Sequence, residues 1–213
     1  MSNNVNMQHD AIGYLGGTFD PVHYGHLRSA IECAQAFDLA QVHLMPCKPV
    51  HKDEPLIESF HRQAMLNLAV QESTHLLVND YELKQPNSTY TIDTLRYLRQ
   101  EIGYEKPLYF ILGVDAFNAI ESWKEWQMLF DQVNFIVIQR PGVELQLNHP
   151  ILKDKLTRFE GVHCAFGCIY SFTVTALDIS STKIRQLIKQ QQSIEFLLPK
   201  SVEHYLQQQG LYQ

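Results

Sequence analysis

Several things this 213-residue sequence lacks narrow it before any motif is read. It has four cysteines at irregular spacings, Cys33, Cys47, Cys164 and Cys168, too few and too scattered for a disulfide framework. The C-x3-C of "HCAFGC" has no second matching pair to complete a zinc site, so reduced structural thiols are expected. Basic residues are in the minority, 17 Lys and Arg against 23 Asp and Glu, for a net charge of −6. That excludes a broad, sequence-independent nucleic-acid surface, which works by displacing counterions with basic side chains. It does not exclude a local site for an anion. Long apolar runs are missing as well. "LYFIL" and "FIVI" are strand-sized and far short of a bilayer span, so no membrane partner is expected. The opening "MSNNVNMQHD" has neither a basic start nor an apolar stretch, which excludes a secretory signal. Residues 1–10 are expected to be a flexible tail, residues 11–213 one domain, and the location the cytoplasm. Internal repeats, low-complexity tracts and linkers are absent. So are G-x-x-x-x-G-K-[ST] and G-x-G-x-x-G, which removes the P-loop and the redox dinucleotide fingerprint.

What is present is an ordinary soluble composition, 45% hydrophobic and 11% aromatic, in which strand-like runs alternate with helical periods. "AIGYLG" and "VHLMP" read as strands. Between them, "HLRSAIECAQAF" places Leu27, Ala30, Ile31 and Ala34 on one helical face. "SFHRQAMLNLAV" reads as a helix, "HLLVN" as a strand, and "TIDTLRYLRQEI" as a helix ended by Gly103. The very apolar "LYFILG" follows, then "QMLFDQV" leading into "NFIVIQRPG", then "VTALDIS" before the helix "STKIRQLIKQ". "PGVELQLNHPILKD" reads as a variable surface loop. Strand–helix alternation predicts an α/β fold, a doubly wound (Rossmann-like) parallel sheet with helices on both faces.

The densest stretch is "GGTFDPVHYGH", Gly16 to His26. It falls where the first strand gives way to a helix, the position at which open α/β sheets bind ligands. Gly16 and Gly17 let backbone N–H groups approach an anion, and Asp20-Pro21 sets a turn. The next helix directs its positive end at the same crevice. His23 and His26 lie one turn apart on one face. Two imidazoles among backbone donors suit a polyphosphate. A metal pair is disfavoured, since the zinc-protease pattern needs i, i+4 spacing and an adjacent Glu.

These residues resemble the signature of the HxGH nucleotidyltransferases, here His23-Tyr24-Gly25-His26. "ISSTKIR", Ile179 to Arg185, is similar to that superfamily's second phosphate motif. "YTIDTL", "GVDAF" with "WKEW", and "RPG" are similar to the nicotinate-nucleotide adenylyltransferases, and the resemblance runs from Ile12 to the final "LYQ".

The resemblance implies adenylyl transfer from ATP to nicotinate mononucleotide, with Mg²⁺ arriving on ATP and no dedicated metal site in the protein. It implies catalytic roles for His23, His26 and Arg185. ATP would be held by Gly16, Gly17, Thr18, Phe19, His23, His26, Gly113, Asp115, Ile179, Ser180, Ser181, Thr182 and Arg185. Asp115 would accept from the ribose hydroxyls, although a helix N-cap is its plainer role. Ser180 and Ser181 open a helix, where simple capping competes with phosphate binding. The mononucleotide would meet Lys48, His51, Lys52, Tyr90, Thr91, Trp123 and Arg140. Trp123 would stack on the pyridine, and core packing is expected for Trp126. Donors at Tyr90, Thr91 and Ile92 would take the nicotinate carboxylate. "PCKPVHKDEP" departs from the family's more usual Pro-Pro loop by being one residue shorter between first proline and histidine.

Three other readings remain open at this point. Another HxGH transferase, such as phosphopantetheine adenylyltransferase, comes from a shorter family without "YTIDTL" and "WKEW". A non-catalytic nucleotide-binding protein is expected to have lost part of the histidine or serine–arginine set. A class I tRNA synthetase fragment sits badly with the acidic charge. Oligomeric state is left open, a homo-oligomer included.

Overall fold

In the computed structural model, which describes residues 10–48, 56–139 and 142–213, the chain alternates strands and helices as follows. Strand β1 (Ile12–Gly17) leads to α1 (Tyr24–Ala36), β2 (Gln41–Pro46), α2 (Ser59–Val70) and β3 (Leu76–Val78). Helices α3 (Tyr81–Lys84) and α4 (Thr91–Ile102) then precede β4 (Leu108–Gly113) and α5 (Val114–Asn118). Two 3-10 turns (Ile120–Ser122 and Trp126–Asp131) lead into β5 (Asn134–Gln139). Next come α6 (Pro150–Lys155), β6 (Leu156–Thr157), β7 (Ile169–Thr173), α7 (Ser181–Lys189) and α8 (Lys200–Gln209).

Among the described residues seven strands form one sheet in the order β3-β2-β1-β4-β5-β7-β6, and every pairing is parallel. A parallel sheet is covered on both faces, so its inner strands are apolar throughout. β4 shows this: five of its six residues are buried. The pleat sends alternate residues into two separate cores. Leu15, Val42, Leu44, Tyr109, Ile111 and Ile136 pack with α1, α2, α7 and α8. Tyr14, Met45, Phe110, Leu112, Phe135 and Val137 pack with α4, α5 and α6. In α4 the buried stripe is Ile92, Leu95 and Leu98, each contributing up to about 1.5–3 kcal/mol. Gly103 ends that helix at φ +83°.

Two expectations need correction. The last long strand is Ile169–Thr173, not "VTALDIS", because Ile169 and Tyr170 carry the burial while 175–178 are exposed. The stretch read as a surface loop contains α6, capped by His149 accepting from the Ile151 N–H at 3.2 Å. Leu152 on that helix is 1% exposed, which ties it to the core. On α1 the expected face holds: Leu27, Ala30 and Ala34 are buried together with Cys33, and Ile31, half-buried, packs against the same core.

The architecture opens one crevice. The β1–β4 ladder ends at Leu15↔Ile111. β1 continues alone beside β2 through Gly17, and β4 continues beside β5 through Gly113. This is the switch point of the sheet, where successive connections leave in opposite directions.

Candidate active site

Both motifs of the sequence meet at that crevice. His23 is the N-cap of α1, extended at φ −148° and ψ 170°, and is 5% exposed. Its backbone N–H donates to Nδ1 of His26 at 3.3 Å. That bond leaves Nε2 as the protonated nitrogen of a neutral His26 ring. The two rings stack with centroids 3.7 Å apart and 29° between planes. Phe19 closes on His26 edge-to-face at 4.9 Å. Phe19 holds φ at +49°, a strained backbone for a bulky residue and one that surrounding contacts must enforce.

Glycine is required here by close approach. A Cβ on Gly25 would lie 3.0 Å from the His23 ring and 3.5 Å from the Ile179 carbonyl. At Gly16 it would meet the Phe110 ring at 3.0 Å, and at Gly17 the Phe19 ring at 3.1 Å. The first pair of glycines therefore makes room for aromatic rings, a packing reason the sequence reading did not contain.

The second motif is bolted to the first. Ser180 caps α7, its hydroxyl accepting from the Lys183 N–H at 3.2 Å. The Ser181 hydroxyl donates to the Pro21 carbonyl at 2.8 Å. Arg185 donates to the Asp20 carbonyl at 2.8 Å and stands 4.0 Å from the Asp20 carboxylate. Both serine hydroxyls are thus engaged within the protein. What the opening of α7 offers an anion is backbone N–H and the helix dipole, since the ladder begins with Ile184 bonding to Ser180. Thr182 is exposed on that turn.

Arg62 braces the loop from the opposite side. It is 2% exposed and donates to the carbonyls of Thr18 at 2.8 Å and Cys47 at 2.9 Å. Burial pulls its pKa down from the usual guanidinium value, an effect that Asp20 partly offsets. Sequence reading passed over Arg62, yet a signal existed: it lies on the buried stripe of α2 with Met65 and Leu66. Asp20, the fixed negative charge of this stretch, is 2% exposed.

Gly113 ends β4 and caps α5, and Asp115 sits exposed in the first turn of that helix. A third group gathers at the start of α4. Tyr90 is its N-cap, and Asp93 and Thr94 are the first to bond to the Tyr90 carbonyl. The N–H groups of Thr91 and Ile92 precede the helical ladder. The ammonium of Lys124 lies 4.7 Å from the Tyr90 ring centroid and 3.1 Å from Asp93, a cation the sequence reading did not single out. Trp123, its neighbour, is half-buried against the core, and Trp126 packs on Phe130 and His149. Lys48 donates to the Gln85 carbonyl. His51, Lys52 and Arg140 lie outside the described residues.

The arrangement is nitrogen-rich and suits phosphate oxygens better than a hard cation. Among the described residues no three His, Cys, Asp or Glu side chains converge as a metal cage, and no helix is long and apolar enough to cross a membrane. Two clefts, of about 390 and 660 Å³, lie along β6 and β7. They contain none of the signature residues, so chemistry rather than size locates the site.

Comparison with known proteins agrees with the geometry. Residues 14–187 match the cytidylyltransferase-like family. A relative from Hahella chejuensis, "Probable nicotinate-nucleotide adenylyltransferase", is 38% identical over 96% of this chain and 97% of its own. One of the same description from Cellvibrio japonicus is 39% identical over 94% and 98%. Among solved structures, "Plasmodium falciparum nicotinic acid mononucleotide adenylyltransferase complexed with NaAD" superposes with a TM-score of 0.75. It is 24% identical, over 96% of this chain and 98% of that one, a likeness that establishes the fold.

Proposed function

The chain belongs to the cytidylyltransferase-like family and, within it, to the nicotinate-nucleotide adenylyltransferases; from that premise we propose how its residues convert ATP and nicotinate mononucleotide into nicotinate adenine dinucleotide and pyrophosphate. The observation that carries the reading is the joining of two anion-binding helix starts. α1 with its stacked histidines and α7 with Arg185 are tied through Asp20 and Pro21 at the switch point. Two such termini facing one crevice match a triphosphate.

A phosphate oxygen of the mononucleotide attacks the α-phosphorus of ATP. The bond from that phosphorus to the bridging oxygen breaks, and pyrophosphate leaves opposite. The nucleophile is already an anion, so no covalent enzyme intermediate is needed. Catalysis consists of alignment and stabilisation of charge on the phosphoryl oxygens. His26 donates from Nε2, His23 stands against it, and Arg185 with the α7 N-terminus takes the leaving β- and γ-phosphates. Gly16, Gly17, Thr18 and Phe19 form the floor under the triphosphate, and Gly113 and Asp115 hold the adenosine. Ile179, Ser180, Ser181 and Thr182 set the α7 start. Tyr90, Thr91, Trp123, Lys48, His51, Lys52 and Arg140 make up the mononucleotide side. Mg²⁺ arriving with ATP would supply neutralisation of the triphosphate charge, while His23, His26 and Arg185 act on its oxygens. The same reading takes the protein to be cytoplasmic and to act on small molecules.

The test is pyrophosphate release with MgATP and each candidate acceptor. Nicotinate mononucleotide should support turnover and phosphopantetheine should not. EDTA should stop the reaction, and excess Mg²⁺ should restore it with the circular-dichroism spectrum unchanged. Release with phosphopantetheine alone would refute the assignment.

A further inference from the structure

Asp20 is the buried acid of the signature loop, and its groups are shared among distant parts of the chain. The Tyr212 hydroxyl donates to Asp20 Oδ1 at 2.6 Å. Arg185 takes the Asp20 main-chain carbonyl at 2.8 Å and stays 4.0 Å from Oδ2, well beyond the ~2.7–2.9 Å of a closed ion pair. Arg62 is a second cation near this carboxylate among the described residues. Tyr212 reaches Asp20 through a specific chain reversal. Gly210 ends α8 in the left-handed region at φ +60°, and Leu211 bonds back to Leu206 at 3.1 Å. Tyr212 itself holds φ at +65°, a conformation a bulky side chain adopts only under constraint. Burial and the adjacent carboxylate push the Tyr212 phenol far above its usual range, so it remains a donor at every working pH.

We propose that Tyr212 is a positioning residue for ATP binding, acting through Asp20 on Arg185. Its hydroxyl satisfies one carboxylate oxygen and so prevents Asp20 from closing a bidentate pair with the guanidinium. Without that hydroxyl, a buried carboxylate oxygen is stranded, and Arg185, 4.0 Å away, is a cation on which it can close. An Arg185 held by two carboxylate oxygens competes poorly for a triphosphate. The inference rests on the adenylyl-transfer reading, in which Arg185 serves ATP.

The experiment measures MgATP affinity by calorimetry, alongside steady-state kinetics, for folded Tyr212→Phe, Asp20→Asn and the double variant. Tyr212→Phe should weaken MgATP roughly tenfold, the scale of one hydrogen bond to a charged group. Most of the kinetic effect should fall on the KM for ATP, with the KM for the mononucleotide unchanged. Adding Asp20→Asn removes the competing charge and should restore affinity toward that of the unaltered protein. A purely structural tyrosine would give additive damage instead. If Tyr212→Phe is a poor folder, Asp20→Asn alone carries the test: its amide oxygen still accepts from Tyr212, and MgATP should bind at least as tightly as before. Unchanged ATP affinity in Tyr212→Phe, no rescue in the double variant, or weaker binding in Asp20→Asn would each overturn the proposal. Failure of the unaltered protein to make dinucleotide while still binding ATP would count against the reaction and not against Tyr212.

Discussion

His23 and His26 stack face to face with ring centroids 3.7 Å apart, and the backbone N–H of the first donates to Nδ1 of the second. Because Nδ1 of His26 accepts that bond, the proton of the neutral ring sits on Nε2, and the pair offers a phosphate oxygen a donor without a second fixed charge beside it.

Replacing His26 by Ala removes the donor and also the acceptor that completes the start of α1. The expected loss of kcat is ~10²–10⁴-fold, the range for a preorganised donor. The loss of stability should be only about 0.5–2 kcal/mol, as for a helix cap. Kinetics and thermal melting on one sample separate the two. Near-normal turnover in the folded variant would remove His26 from the site.

Gly25→Ala is a finer probe of the same pair. The new Cβ would lie 3.0 Å from the His23 ring, so the ring must move while α1 stays helical. A small stability change with a fall in kcat of roughly tenfold or more is expected, since slight misplacement is costly in positioned catalysis. Full activity would show that the ring's placement does not matter.

Preference for nicotinate over nicotinamide mononucleotide tests the start of α4. An amide offers one acceptor but turns its NH₂ toward a second donor. The lost charge-assisted bond and the stranded donor together cost on the order of 3–5 kcal/mol. That corresponds to at least ~10²-fold in kcat/KM. Trp123→Ala should weaken both acceptors alike, because stacking does not sense the carboxylate. Equal kcat/KM for acid and amide would sink this assignment alone.

Glu82 gives a pH test. It is 5% exposed and accepts from the Thr94 hydroxyl at 2.8 Å. Burial raises its pKa above the usual 4.5. The folded state then binds more protons than the unfolded one, so this residue's contribution falls as pH climbs from 4.5 through the folded pKa. Glu82→Gln keeps the acceptor and removes the ionisation. Its Tm should exceed that of the unaltered protein at neutral pH, with the gap closing toward acid. A gap that widens toward acid would show that the charge is favourable where it sits.

Much of this was legible beforehand, for identifiable reasons. Helices α2 and α4 run from Ser59 and from Thr91, where the 3.6-residue period begins, because each buries one stripe. β4 was evident because a strand covered on both faces has nowhere to put a polar residue. β7 was misplaced because its register depends on β5 beside it, not on its own pattern. The ties that assemble the site, Arg185 to Asp20 and Tyr212 to Asp20, join residues 165 and 192 positions apart. No local period encodes such contacts. The left-handed Phe19 was hidden in the same way, since nothing in its local sequence marks a positive φ.

The ladder that stops at Leu15↔Ile111 while both strands run on has a thermodynamic consequence. Two strand tips stand side by side in the middle of the sheet without pairing to each other. Unmatched groups must be satisfied by water or by something bound. On the proposed reading, a nucleotide lodged there would satisfy part of that gap and so link binding to folding. At a concentration 100 times its Kd, such a ligand adds about 2.7 kcal/mol to stability, and melting temperature becomes a measure of substrate occupancy.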